Sequence, residues 1–279
     1  MTQRAQWRFI DTGKLSPEMN MAVDEAILSI HSQGKTPPTV RFYTWEPATL
    51  SIGYFQKAEQ EIHFDKLKEY GLGFVRRQTG GRAVLHDQEL TYSVTVSEKY
   101  PGMPTQVTEA YRVISNGLLK GFQHLGLHAE MVKLASEEDK VKYASAGSSA
   151  CFDSPSWYEL VVEGKKVAGS AQTRQKGTIL QHGSILLDLD VDMLFDILRF
   201  SSERIKERMK LSFLEKAVAI NQLQSRQITL EEAKEAFLYG FREGLQIDLI
   251  QGELTTEETE LAEKLVEEKY GLDEWNFKR

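Results

Sequence analysis

Between Phe74 and Val96 the chain reads F-V-R-R-Q-T-G-G-R-A-V-L-H-D-Q-E-L-T-Y-S-V-T-V, and this stretch commits it to a β-sheet. Leu90, Tyr92, Val94 and Val96 alternate with polar residues at the period of two that marks a strand. Short strands on either side of Thr79-Gly80-Gly81 predict that these three residues turn the chain. A glycine pair of this kind can serve as a plain hairpin turn, because glycine takes positive φ without steric cost. Arg76, Arg77 and Arg82 crowd the turn, however, and guanidinium groups around a glycine turn suit an anion brought close to backbone. The nucleotide P-loop pattern Gly-x4-Gly-Lys-Ser/Thr is absent.

Around this stretch, strands and helices intermingle. Ser16-Pro17 reads as an N-cap and first-turn proline, opening a helix whose buried stripe is Met19, Met21, Ala22, Val23, Ala26, Ile27 and Ile30, with a stop near Gly34. Thr39 to Trp45 and Leu50 to Tyr54 read as strands, and Asp65 to Tyr70 as a short helix. Thr108 is expected to cap a helix that buries Tyr111, Ile114, Leu118, Phe122 and Leu125. On that helix His124 and His128 have the spacing of two metal ligands, but Gly126 divides them and no third ligand is near, so they read as a surface helix end. From Asp192 onward the pattern is helical, with capping boxes at Thr229/Glu232 and Thr255/Glu258. With no internal repeat or low-complexity linker, one mixed α/β domain with helical additions is the economical expectation.

Charge and cysteine usage narrow the function classes. Lysine plus arginine total 34 against 41 for aspartate plus glutamate, a net charge of -7, which argues against a nucleic-acid protein. No stretch is apolar enough to span a membrane, no signal peptide is visible, and a single cysteine in 279 residues fits a reducing compartment; the expected location is the cytoplasm.

That cysteine opens the second informative stretch, C-F-D-S-P-S-W-Y-E-L-V-V-E-G-K-K-V-A-G-S-A-Q, from Cys151 to Gln172. A lone cysteine can be merely a small buried hydrophobe. A nearby ammonium, however, can bring a thiol pKa of about 8.5 into the neutral range, where the thiolate is a nucleophile. Residues 136–150 are charged, then small and polar, and read as an exposed segment delivering Cys151. If Glu163-Gly164 forms a hairpin turn, Lys166 lies opposite Val161 on one face and Lys165 opposite Val162 on the other. The pattern leaves open which lysine faces Cys151. Leu180 to Leu189 reads as one more strand, with His182 near its start.

Three blocks, R-R-Q-T-G-G-R-A-V-L-H-D, K-V-A-G-S-A-Q and L-Q-H-G-S-I-L-L, stand in the order seen in the biotin/lipoate protein ligase superfamily, which the sequence resembles from the N-M-A-V-D-E-A helix at Asn20 to about residue 250. The C-F-D-S-P-S-W-Y-E-L-V-V block ahead of the lysines resembles the octanoyltransferases of the LipM type within it. The resemblance implies an α/β (α+β) fold of the class II aminoacyl-tRNA synthetase and biotin/lipoate ligase kind, a mixed sheet flanked by helices. It also implies a catalytic domain over 1–250, with its core at about 33–248, and a helical tail over 251–279. It makes Cys151 the nucleophile. It chooses Lys166, the lysine immediately before Val-Ala-Gly-Ser-Ala, as its partner. Arg76, Thr79, Gly80, Gly81, Arg82, His86, Gly169, Ser170, Gln172 and His182 become the implied substrate-binding set.

The implied reaction moves octanoyl from octanoyl-acyl-carrier protein to the lipoyl-domain lysine of glycine cleavage H protein, without ATP or metal. Three alternatives accompany it: an octanoyl-H-protein amidotransferase, an ATP-dependent lipoate ligase, and a non-catalytic module that holds lipoyl domains. Because the chain is net negative and the implied partners are acidic, a local positive surface is required, and Arg76, Arg77, Arg82, Lys165, Arg174 and Lys176 are expected to border one cleft.

Overall fold

The computed structural model of the chain describes residues 4–133 and 158–279, so Cys151 and the segment leading to it lie outside the described residues. Strand β1 (Ala5–Leu15) leads into helix α1 (Pro17–Ser32), and Ser16 Oγ accepts from the Met19 N–H at 3.4 Å as the cap pattern predicts. Strands β2 (Thr39–Trp45), β3 (Thr49–Ile52), β4 (Gly73–Arg76), β5 (Val84–His86) and β6 (Glu89–Ser97) follow, then helix α2 (Val107–His124) and β7 (Ala129–Lys133). After the undescribed segment come β8 (Tyr158–Val162), β9 (Lys165–Lys166), β10 (Ala168–Gln175) and β11 (Thr178–Leu186). The chain ends with α3 (Glu203–Lys216), α4 (Leu230–Leu245), β12 (Ile247–Gln251) and α5 (Thr256–Leu265), with short helical turns between.

Among the described residues, β10, β11, β6, β2, β1 and β12 form one mixed sheet in that order, antiparallel from β10 to β2 and parallel from β2 to β12. Two three-stranded sheets, β4-β3-β5 and β7-β8-β9, complete the architecture. The mixed sheet is covered on both faces. Phe42, Tyr92 and Val94 pack toward α2 and α4 (Ile114, Phe122, Phe237, Phe241), while Ile10 and Tyr43 pack toward α1 and α5 (Met21, Ile27, Ala262). The polar half of the β6 alternation is therefore not a solvent face: Thr91, Ser93 and Thr95 are buried as well.

Two expectations need correction. The region after Asp192 is not wholly helical. Gln246 takes a left-handed conformation (φ 55) that ends α4, and the chain turns into β12, parallel to β1 from Ala5↔Ile247 to Phe9↔Gln251. Thr108 does not cap α2, because the helix starts at Val107 and the threonine sits inside its first turn.

The C-terminal residues are built into the body. Arg8 grips Glu258 through two hydrogen bonds of 2.8 and 2.5 Å, both side chains nearly inaccessible, and Tyr270 packs in the core beside α1. No helix among the described residues is long and apolar enough to cross a membrane.

Candidate active site

A narrow cleft opens between α1, β2, β5 and the β10–β11 pair. Met21, Tyr43, Trp45 and Val84 give it apolar walls, and Gly169, Ser170, His86 and His182 of the implied set line it together with Arg77. The Thr79-Gly80-Gly81 turn lies beside it: a Cβ on Gly81 would stand 3.9 Å from the Cβ of cleft-lining Ala171. The turn owes its shape to Arg77, whose Nη2 donates to Gly80 O (3.2 Å) and Arg82 O (2.9 Å), so Arg82 enters the turn through its carbonyl. From behind, the Tyr54 N–H donates to Thr79 O at 2.8 Å. Gly53 closes on the turn so tightly that a Cβ there would sit 2.1 Å from Gly81 O, with backbone on both sides and no flexible side chain to yield. Gly53→Ala is therefore expected to displace the glycine turn and lower kcat/KM on the order of 10²-fold, a cost typical of a misplacement of about 1 Å. Unchanged steady-state kinetics for Gly53→Ala would show that the turn's position is irrelevant to turnover.

Two buried chains of hydrogen bonds converge on the cleft, and both histidines belong to them. Asp24, in the middle of the α1 stripe, pairs with Arg41 (2.8 Å) and accepts from Tyr43 OH and Ser93 Oγ (2.9 and 2.8 Å). Burial pushes the Asp24 carboxyl up, but Arg41 and then His182 and Ser93 more than offset this and hold it below the usual carboxylate range. Being ionised, Asp24 accepts from His182 Nδ1 (3.0 Å), and the far ring nitrogen of His182 meets Thr79 Oγ1 at 2.7 Å. The fold thus ties the glycine turn to a charge pair in the core.

In the second chain Arg77 donates to Ser51 Oγ (2.7 Å), which meets His86 Nε2 at 2.7 Å, while the ring's other nitrogen is Nδ1. That nitrogen lies 3.3 Å from Glu89, within ion-pair reach though outside hydrogen-bond geometry. Burial holds His86 below its ordinary pKa despite Glu89, and its ring stacks on Trp45 at 4.3 Å. A third chain orients Ser170: Gln172 donates to Gln181, Gln181 to Tyr92 OH, and Tyr92 OH to Ser170 Oγ at 2.7 Å.

The β8–β9 hairpin has the register that the turn pattern predicts, Val161↔Lys166 and Val162↔Lys165, with Glu163 and Gly164 both at positive φ. Lys166 Nζ lies 3.0 Å from Glu159 Oε2, with side-chain exposures of 11% and 8%. Lys165 instead faces α3 and donates to Leu214 O. Sequence reading missed Glu159, although the signal was there: two residues before Val161, it is the diagonal same-face neighbour of Lys166. Asp24 and Arg41 were missed as well.

Other members of the implied set fall elsewhere. Arg76 is fully buried and points away from the cleft, donating only to carbonyl oxygens: Gly53, Tyr54 and Gln56 on one side, Trp275 and Asn276 on the other. Gln172 serves the Ser170 chain and does not line the cleft. The six expected cations do not ring the cleft: of them Arg77 lines it, and Arg76, Arg82, Lys165, Arg174 and Lys176 do not. Arg76 and Arg77 are taken up by backbone, Arg174 binds Thr105 O, Lys165 reaches α3, and Lys176 lies 3.4 Å from Ser29 on α1. Such residues were drawn inward because unpaired carbonyls of turns need donors. Among the described residues no group of three His, Cys, Asp or Glu is arranged to hold a metal; His124 stacks on Tyr239 at 4.1 Å.

Residues 16–242 match the lipoyl protein ligase A/B catalytic domain. A Brevibacillus brevis protein named octanoyltransferase LipM is 70% identical over 274 residues, covering 98% of this chain and 99% of its own. The Bacillus subtilis protein of the same name is 60% identical over 277 residues, covering 99% and 100%. Among solved structures, the bipartite lipoate protein ligase of Thermoplasma acidophilum, described with its E2 lipoyl domain, superimposes with TM-score 0.81 at 28% identity over 98% of this chain and 96% of that one. A lipoate-protein ligase A bound with ATP gives TM-score 0.78 at 29% identity, covering 98% of each.

Proposed function

Because the chain belongs to the lipoyl protein ligase A/B catalytic-domain family, we infer that it is an octanoyltransferase that carries the acyl group on Cys151 between a thioester donor and the lysine of a lipoyl domain. It is an acyltransferase, as are relatives 56–70% identical to it along nearly their whole length. The structural observation that supports the reading is the apolar wall of the narrow cleft beside the glycine turn, the kind of surface a fatty chain contacts. Each methylene of an octanoyl chain that such a wall removes from water contributes roughly 0.8 kcal/mol of binding.

In the first half-reaction the Cys151 thiolate adds to the donor carbonyl; the new C–S bond forms as the donor's C–S bond breaks, and the donor thiolate leaves and takes up a proton. In the second, a neutral lysine amine adds to the octanoyl-enzyme, the Cys151 thiolate leaves, and the nitrogen gives up one proton to yield an amide. Exchange between thioesters is close to isoenergetic, so the balanced reaction calls for no ATP.

Lys166, positioned 3.0 Å from Glu159, is the cation we assign to thiolate stabilisation. Backbone N–H groups at the glycine turn and at Gly169–Ser170 are the proposed donors to the acyl oxygen. We propose octanoyl-acyl-carrier protein as donor, glycine cleavage H protein as acceptor, and the cytoplasm, where a free thiol persists, as the setting.

Intact-mass spectrometry tests the reading. Wild-type protein mixed with octanoyl-acyl-carrier protein is expected to gain one octanoyl group, released by hydroxylamine and absent from Cys151→Ser. An unmodified wild-type chain, or an adduct that persists in Cys151→Ser, would remove the cysteine from the mechanism.

A further inference from the structure

Most cations of the motif blocks are engaged by neighbouring carbonyl and hydroxyl oxygens, and a second group of cations lies at the chain's C-terminal residues. Behind the glycine turn the chain's last residues reach the loop after β3. Lys278 Nζ sits 3.4 Å from the ring centroids of both Tyr54 and Trp275, and the Arg279 guanidinium lies 5.3 and 5.2 Å from those of Tyr54 and Phe55. The Arg76 guanidinium is buried close by. Of the carboxylates in the neighbourhood, Glu25 pairs with Lys269 and accepts from Tyr270, while Glu61 accepts from Gln56 Nε2 and the Lys57 N–H and acts on Arg76 through its charge. Among the described residues, Lys278, Arg279 and Arg76 make no ion pair within 4.0 Å. Beside them Phe55 is 69% exposed, the most exposed of the large hydrophobic side chains among the described residues. It also touches the glycine turn, since a Cβ on Gly80 would lie 3.9 Å from its ring.

We propose that Phe55, Lys278 and Arg279 form the docking surface for an acidic face of the acyl acceptor, the lipoyl domain, at the glycine-turn rim of the cleft. The inference rests on the acyl-transfer reading above. An unneutralised cation pair in a chain of net charge -7 selects an acidic partner, and a projecting aromatic ring supplies the apolar anchor that such interfaces use. The choice of acceptor over donor follows from the chemistry. Burial, and then Arg76, Lys269 and Arg279, bring Lys278 down to about 8. A lysine delivered beside the same cations is likewise pushed toward the free amine, the form that attacks a thioester; a thioester donor gains nothing from that field.

The test compares wild type with Lys278→Glu/Arg279→Glu and, separately, with Phe55→Asp, a change at a site too exposed to unfold the chain. Three quantities are read: KM for apo glycine cleavage H protein, KM for octanoyl-acyl-carrier protein, and the rate at which hydroxylamine strips the octanoyl-enzyme. The expected result is a rise of about tenfold or more in acceptor KM for both variants, with donor KM and hydroxylamine rate within about twofold; added salt raises acceptor KM in wild type and in Phe55→Asp but has little effect in Lys278→Glu/Arg279→Glu. An unchanged acceptor KM overturns the proposal. So does a rise in donor KM instead, or an equal loss in all three quantities, which would make the tail merely structural. A wild type that forms no octanoyl-enzyme sinks the acyl-transfer reading itself, whereas a wild type that forms it while the variants keep their acceptor KM sinks only the docking surface.

Discussion

Lys166→Met is expected to lower kcat/KM by about 10²- to 10⁴-fold, the range for removing a charged group that assists at the reacting centre. It is also expected to cost about 3–5 kcal/mol of stability, because the Glu159 carboxylate is left buried opposite a methyl thioether. The two effects can be separated. In Glu159→Gln/Lys166→Met no ionised group remains, and replacing both members of a buried pair by neutral groups of similar shape is close to neutral. The double variant should therefore regain most of the lost stability in urea unfolding while remaining inactive in octanoyl transfer. If activity returned along with stability, Lys166 would be a structural residue and the thiolate would need another partner.

Asp24→Asn should be the most destabilising single change near the site, at about 3–5 kcal/mol, since Arg41 would keep its charge with no exposed surface and no counter-ion. Its effect should depend on pH in a defined direction. The folded-state pKa of Asp24 lies below its unfolded value, so its contribution is fully present above about pH 4 and is lost as the pH falls through the folded pKa. Wild type and Asp24→Asn should thus differ most at neutral pH and converge on acidification. Glu207→Gln, at an exposed position of α3, should stay within about 0.5 kcal/mol of wild type throughout. A loss below about 1 kcal/mol for Asp24→Asn at neutral pH would mean that water reaches Arg41 and that the core pair is weaker than its burial indicates.

Local signals in the chain were legible because local physics decides them. Ser16, Thr229 and Thr255 cap their helices through their own side chains, and the Glu163-Gly164 turn sets the pairing of Lys166 without help from the rest of the fold. What could not be read depends on distant partners. β12 is a five-residue, partly exposed edge strand whose pairing with β1 joins residues about as far apart as the chain allows. Asp24 sits among Ala22, Val23, Ala26 and Ile27, where a carboxylate should have signalled a buried counter-ion, but nothing local names Arg41. Arg76 and Arg77 stand side by side in the motif yet face opposite ways along β4, one holding the C-terminal residues and the other shaping the glycine turn. Adjacent strand residues must diverge in this way.

Lys133 and Tyr158, the last and first described residues around the cysteine-bearing segment, are register partners across β7 and β8. The scaffold therefore closes that segment at its base whatever its length. Loop closure grows only logarithmically with length, at about 0.6 kcal/mol per doubling. The β7–β8 pairing, and with it the hairpin that carries Lys166, is thus anchored by residues on either side of the nucleophile's segment.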